Sequence, residues 1–203
     1  MLTFEQLVQD VGAWAAVNFE ESWTEELPVD IPMHADHKQR AGLGSIAPLL
    51  GIGEEIGELC DAIIKADAEL VRDSIGDILI YLCDWCRREV LPFPIEYSME
   101  ETEYSNSFVM GLSAAYGQMC HGKLKRCQKI RGMDTDGLYQ GHMYKAMCEL
   151  MSCLMWIAQE TLKSNFLDDP GMYDLLKIAN DTWTNVVSKR SWKEWPRAGV
   201  QHG

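Results

Sequence analysis

GEEIGELCDAIIK (Gly53–Lys65) and RDSIGDILIYLCDW (Arg72–Trp85) decide the fold of this chain. They place Glu54, Glu55 and Glu58 on one helix and Asp73 and Asp77 on the next. Both segments are otherwise apolar at helical spacing, and residues three or four apart share a helix face. Glu55 and Glu58 therefore project together, and so do Asp73 and Asp77. The short junction around Ala66–Glu69 allows an antiparallel hairpin, in which four carboxylates converge. Carboxylates at close range repel one another and are costly to bury unpaired. A hard divalent cation resolves that repulsion, and oxygen ligands of this kind suit Mg²⁺ or Mn²⁺.

Outward from this pair the pattern stays helical. Leu2–Phe19 has helical spacing, with Thr3 as N-cap and Glu5 and Gln6 in the first turn. Residues 24–44 carry Pro28, Pro32, Gly42 and Gly44 and are expected to form a loop. Pro48 opens the first acidic helix, which runs to about Ala66, and Leu70–Val90 forms the second, stopped by Pro92 and Pro94. Residues 92–107 form a linker between an acid-bearing half (1–91) and a second half (108–203). Helices are expected over Phe108–Ile130, Tyr144–Lys163 and from Asp169-Pro170 to about Ser188, with a loop over Gly132–Gly141. No segment shows hairpin-strand chemistry. The expectation is one all-α domain, a helical bundle.

Composition limits the partners. The 203 residues suffice for a core, and the net charge of −13 argues against nucleic acid or an anionic membrane surface. No apolar run approaches the roughly 20 residues needed to span a bilayer, and MLTFEQLVQD is not a signal peptide. Seven cysteines, an odd number set in helical apolar patterns, fit free thiols in a reducing compartment, hence the cytoplasm. Cys83 and Cys86 form a mid-helix CxxC without a second pair, for which core packing outweighs zinc or redox chemistry. His34 and His37 sit in a loop rich in Pro and Asp and are expected to be solvated.

The chain repeats itself. LGIGEEIGELCDAIIK (Leu50–Lys65) aligns without gaps on MGLSAAYGQMCHGKLK (Met110–Lys125), matching Gly57 with Gly117 and Cys60 with Cys120. RDSIGDILIYLCDW then aligns on YKAMCELMSCLMWI (Tyr144–Ile157). Glu54, Glu55 and Glu58 become Ala114, Ala115 and Gln118, Asp73 becomes Lys145, and Asp77 becomes Glu149. Two fused copies of one helical hairpin, related by a pseudo-twofold axis, are expected, the second degenerate.

The second half carries cations. Lys123, Lys125, Arg126, Lys129 and Arg131 lie on or just after one helix, and Lys189, Arg190 and Lys193 fall among Trp183, Trp192 and Trp195. Such residues bind phosphate, Lys as a point charge and Arg as a fork.

EExxE, followed on the next helix by DSIGD, resembles the MazG-like all-α nucleoside triphosphate pyrophosphohydrolases, a superfamily that includes dimeric dUTPases. WAAVNF (Trp14–Phe19), PLLGIGEEIGEL (Pro48–Leu59), DSIGDILIYLCDWC (Asp73–Cys86) and TWTNVVSKRSW (Thr182–Trp192) have close counterparts there, and HGKLKRCQKIRG (His121–Gly132) resembles the segment that follows EExxE in many of them, in keeping with a degenerate second copy. The usual second motif is ExxD, whereas here Ser74 stands three before Asp77 and Asp73 is the carboxylate on offer. The resemblance implies Mg²⁺-dependent (or Mn²⁺-dependent) cleavage of an NTP or dNTP to the monophosphate and pyrophosphate, in a bacterial or phage-infected host cytoplasm. It implies metal ligation by Glu55, Glu58, Asp73 and Asp77, with Glu54 or Glu55 as base for the attacking water. Lys189, Arg190 and members of the Lys123–Arg131 cluster would clamp the phosphates. Asp61 and Asp84 fall on the acid faces, where contact with sugar or base competes with a solvated or capped role. Trp14, Asn18 and Trp183 are candidates for the base pocket, core packing being the stronger reading for the tryptophans. Homodimer formation stays open. The rival reading is a nucleotide-binding or regulatory module without turnover. A carboxylate di-iron bundle needs Glu-x-x-His pairs, which the sequence does not contain.

Overall fold

The computed structural model describes residues 1–25, 44–95, 107–133, 135–165, 171 and 174–190, with side chains from 19 to 25 excepted. His34, His37, Trp192, Lys193 and Trp195 lie outside the described residues, as do most of the expected 24–44 loop and most of the 92–107 linker.

Every regular element described is helical: α1 (Phe4–Glu25), α2 (Ile46–Lys65), α3 (Ala68–Glu89), α4 (Phe108–Gln128), α5 (Asp136–Leu162) and α6 (Leu175–Asn185), followed by a 3₁₀ turn, Val187–Lys189. The all-α expectation holds. Among the described residues no helix is long and apolar enough to cross a membrane.

Local chemistry sets the boundaries. The Gln6 amide donates to Thr3 Oγ1 at 3.3 Å and the Thr3 amide to Gln6 Oε1 at 2.9 Å, a reciprocal capping box opening α1. Between α2 and α3 the turn is minimal. Ala66 takes a left-handed conformation (φ 53°), the amides of Ala66 and Asp67 donate to the carbonyls of Ile63 and Ala62, and Asp67 Oδ1 accepts from the Leu70 amide at 3.1 Å. One Schellman turn and one N-cap thus reverse the chain. α5 starts at Asp136, two turns before the expected Tyr144. The glycines that suggested a loop, Gly137 and Gly141, stand in open space within the helix, which is anchored there by Tyr139 and Met143, both buried four residues apart. α6 starts at Leu175, capped by Asp174; Asp169 and Pro170, where the sequence set its start, lie outside the described residues.

α3 is the central element. It packs against α2 as a hairpin and also against α1, α5 and α6, while α4 pairs with α5 and touches α2. Accordingly Ile75, Ile78, Leu79 and Leu82 are all 0% exposed. Each contributes about 2 kcal/mol of burial, and truncating one to Ala would cost about 3 kcal/mol. Gly76 lies so close to Thr182 of α6 that any Cβ there would collide with the hydroxyl. Asn180 of α6 ties down the amino-terminal segment, its Oδ1 accepting from the Leu2 amide (2.7 Å) and its Nδ2 donating to the Leu2 carbonyl (2.9 Å).

Candidate functional site

The α2–α3 hairpin brings the acids within electrostatic reach of one another. Glu54 and Glu58 are exposed on α2 and Glu55 is half-buried. On α3, Asp73 is exposed, Asp77 half-buried and Ser74 buried. Burial, then the charges of Asp77, Glu58, Glu54 and Asp73, push the Glu55 carboxyl up to about 8. Burial and Asp73 raise Asp77 to about 6, with Glu58 adding to the rise and Arg190 opposing it. Carboxylates from both helices therefore share one field.

Tyr81, which none of the sequence motifs includes as a site residue, belongs here too. It stands one turn after Asp77 on the same face, a spacing that could have flagged it. Its ring lies over Gly51, 2.6 Å from where a Cβ would sit, so a larger residue at 51 would displace it. Burial and the charges of Glu55, Asp77 and Glu54 push its hydroxyl up to about 12, again with Arg190 opposing. The phenol stays protonated, a neutral donor beside the acids.

Arg190 is a cation that reaches this field. It follows the 3₁₀ turn, and its carbonyl accepts from Trp14 Nε1 at 3.0 Å. Trp14 in turn packs edge-on against Trp183, centroids 6.2 Å apart. The two tryptophans hold the backbone that presents Arg190. Trp183 is core, 9% exposed, and Asn18 Nδ2 donates to the Trp14 carbonyl at 2.8 Å. Lys189 is exposed beside Arg190.

The basic stretch of α4 is engaged elsewhere. Lys123 is 3% exposed and ion-paired with Glu89, whose carboxylate also accepts from Tyr139 Oη (2.7 Å) and the Ser45 hydroxyl. Glu89 lies twelve residues beyond Asp77 on α3, about 18 Å along the axis. Arg126 pairs with Asp136 at 2.6 Å and stacks over Tyr139, 4.5 Å from the ring centroid. Both cations expected at the phosphates thus brace the α3–α4–α5 packing. Lys125 donates to Gln128 (3.0 Å), while Lys129 and Arg131 are exposed residues with left-handed backbone. Asp84 is also committed: it is buried and bridged to Arg88 at 2.8 Å and Arg87 at 3.5 Å. Asp61 is exposed. Cys83 and Cys86 are fully buried, and burial raises both thiols well above their ordinary range, as befits core packing.

A cleft of about 130 Å³ opens beside Asp73, lined by Glu69, Arg72, Asp181, Thr182, Asn185 and Val186. Arg72 crosses it to Asp181 at 2.7 Å.

The donor set is hard oxygen, which fits Mg²⁺ or Mn²⁺. Among the described residues no three His, Cys, Asp or Glu side chains stand close enough together to enclose an ion. Coulombic coupling extends well beyond a coordination bond of about 2.1 Å, and uncompensated carboxylates move apart. The hairpin thus holds carboxylates in electrostatic reach of one another rather than in a closed cage. No family model matches this chain, and neither a curated protein nor a solved structure does.

Proposed function

We propose that the α2–α3 hairpin is the metal-binding face of a nucleoside triphosphate pyrophosphohydrolase, producing the nucleoside monophosphate and pyrophosphate. The observation that carries this reading is the convergence of Glu54, Glu55, Glu58, Asp73 and Asp77 on one hairpin, where burial and then the neighbouring charges raise Glu55 to about 8. Glu55, Glu58, Asp73 and Asp77 would hold Mg²⁺ or Mn²⁺, which supplies charge neutralisation for the triphosphate and acidifies a bound water. Glu54 or Glu55 would accept the proton of the attacking water, as a carboxylate beside the metal-bound water. Arg190 fixes a phosphate by its fork, with Lys189 beside it. The MazG-like resemblance of the motifs supports the same chemistry.

A second reading has its own support. Lys123, Arg126 and Asp84 are bound within the fold, and Ser74 occupies a usual ligand position. Fewer groups then remain to stabilise a transition state, which favours a nucleotide-binding module without turnover. Incubation with each NTP and dNTP plus Mg²⁺, read as pyrophosphate release, separates the two: release supports the enzyme, and binding without release supports the module. Within the enzyme reading, Asp73→Asn should cut kcat on the order of a hundredfold, equivalent to about 2.7 kcal/mol, whereas Ser74→Ala should leave kcat nearly unchanged. The reverse order would reassign the fourth ligand.

A further inference from the structure

The second hairpin repeats the burial of the first at its apolar core positions. With Leu50–Lys65 laid on Met110–Lys125, Gly51 and Gly111 are buried, Leu59 and Met119 are 0% exposed, Cys60 and Cys120 are half-buried, and Gly57 and Gly117 face open space. With Arg72–Trp85 laid on Tyr144–Ile157, Ile75, Ile78, Leu79 and Leu82 meet Met147, Leu150, Met151 and Leu154, all 0% exposed. Asp73 and Lys145 are both exposed, and Asp77 and Glu149 are both half-buried.

The residues whose charges bear on Asp77 in the first hairpin, Asp73 and Glu58, have counterparts that contact Glu149 in the second. Gln118 Nε2, at the position of Glu58, donates to Glu149 Oε2 at 3.2 Å across the hairpin. Lys145, at the position of Asp73, places its ammonium 3.8 Å from Glu149 Oε1. Where the first hairpin sets carboxylate against carboxylate, the second sets an amide and an ammonium against its one remaining carboxylate.

We infer that the α4–α5 hairpin holds a second centre of the same geometry, in which the Lys145 ammonium occupies the role of a divalent cation and Gln118 removes the repulsion that would call for one. This rests on the proposed cation role of the α2–α3 acids. The Lys145 side chain is 77% exposed, so replacing it disturbs no packing. The centre should therefore open to a hard divalent cation once its two neutralising residues are returned to acids.

The test is Mn²⁺ binding by the full chain, counted by calorimetry and located by paramagnetic broadening of α4–α5 resonances. Gln118→Glu combined with Lys145→Asp should add one Mn²⁺ per chain and broaden signals around Glu149, with any pyrophosphate release unchanged. A folded double variant that binds no more Mn²⁺ than the wild type overturns the inference, as does wild-type chain that already binds Mn²⁺ at Glu149. If the wild type binds no Mn²⁺ at α2–α3, that reading fails and the inference falls with it, whereas wild-type binding at α2–α3 with no gain in the variant overturns the inference alone. Should the double variant not fold, Lys145→Asp alone carries the test: broadening at Glu149 supports the inference, and its absence overturns it.

Discussion

Glu55 carries a consequence for stability. Its folded carboxyl sits at about 8 against an ordinary 4.5, and Asp77 is displaced the same way, to about 6 against 3.8. Between these values the folded chain keeps protons that the unfolded chain has released, so stability falls as pH rises. The metal-free chain should therefore lose melting temperature steadily from pH 5 to pH 8, and Glu55→Gln should flatten that slope. Thermal melts in EDTA across this interval check it; a melting temperature that climbs with pH would remove the coupling. Lys123 makes the opposite case. Removing its ammonium leaves Glu89 buried with neutral donors only, so Lys123→Ala should cost about 3–5 kcal/mol in urea unfolding. A phosphate-binding lysine would instead lose turnover at unchanged stability. The grouping of the acids was legible because carboxylates three or four apart share a helix face, and the short Ala66–Asp67 turn sets the two faces together. The fates of Lys123, Arg126 and Asp84 were not, since each is decided by a partner on another turn or another helix. Glu89, to which Lys123 and Tyr139 converge, left no signal in its own neighbourhood of the sequence.

At the level of elements, spacing located both ends of α2 and α3 and the start of α1 to within two residues, because Thr3, Pro48 and the Ala66–Asp67 turn are local devices, but it ended α1 at Phe19, six residues short of Glu25. α5 escaped because two helical glycines outweighed the apolar pair Tyr139 and Met143 in a local reading, whereas in the fold those two side chains are buried. Three helices end alike, on a non-glycine residue with left-handed backbone: Ala66 (φ 53°), Val90 (φ 55°) and Lys129 (φ 54°). For β-branched Val90, 80% exposed, that conformation is strained and returns little burial. Val90→Gly should therefore stabilise the chain by about 1 kcal/mol, read as a higher melting temperature with the Arg87 and Cys86 carbonyls still capped. Destabilisation would mean that the left-handed residue carries no strain.

Across the molecule, the acid hairpin depends on what covers it. α3 meets α5 through Cys86 and Met147, whose sulfurs are 3.5 Å apart, and α6 through Gly76 and Thr182. A fragment ending at Met99 lacks α4, α5, α6 and Arg190. It should bind a hydrophobic dye and release no pyrophosphate, even if it stays in solution by self-pairing. Metal-dependent release by that fragment would reduce the second half to scaffold. The all-α architecture was legible in the periodicity alone, but the arrangement around α3 was not, because which face meets which partner is settled only by the whole packing. Trp14, Trp183 and Arg190 show the same dependence: a carbonyl near the far end of the sequence is held by an indole near its start. That pairing also sets an order in time. Arg190 leaves the ribosome about 110 residues after Asp77, which at ordinary elongation rates is roughly 6 to 20 s. Throughout that interval the nascent chain exposes its acids without their arginine, so the charge balance around them is completed only long after they are made.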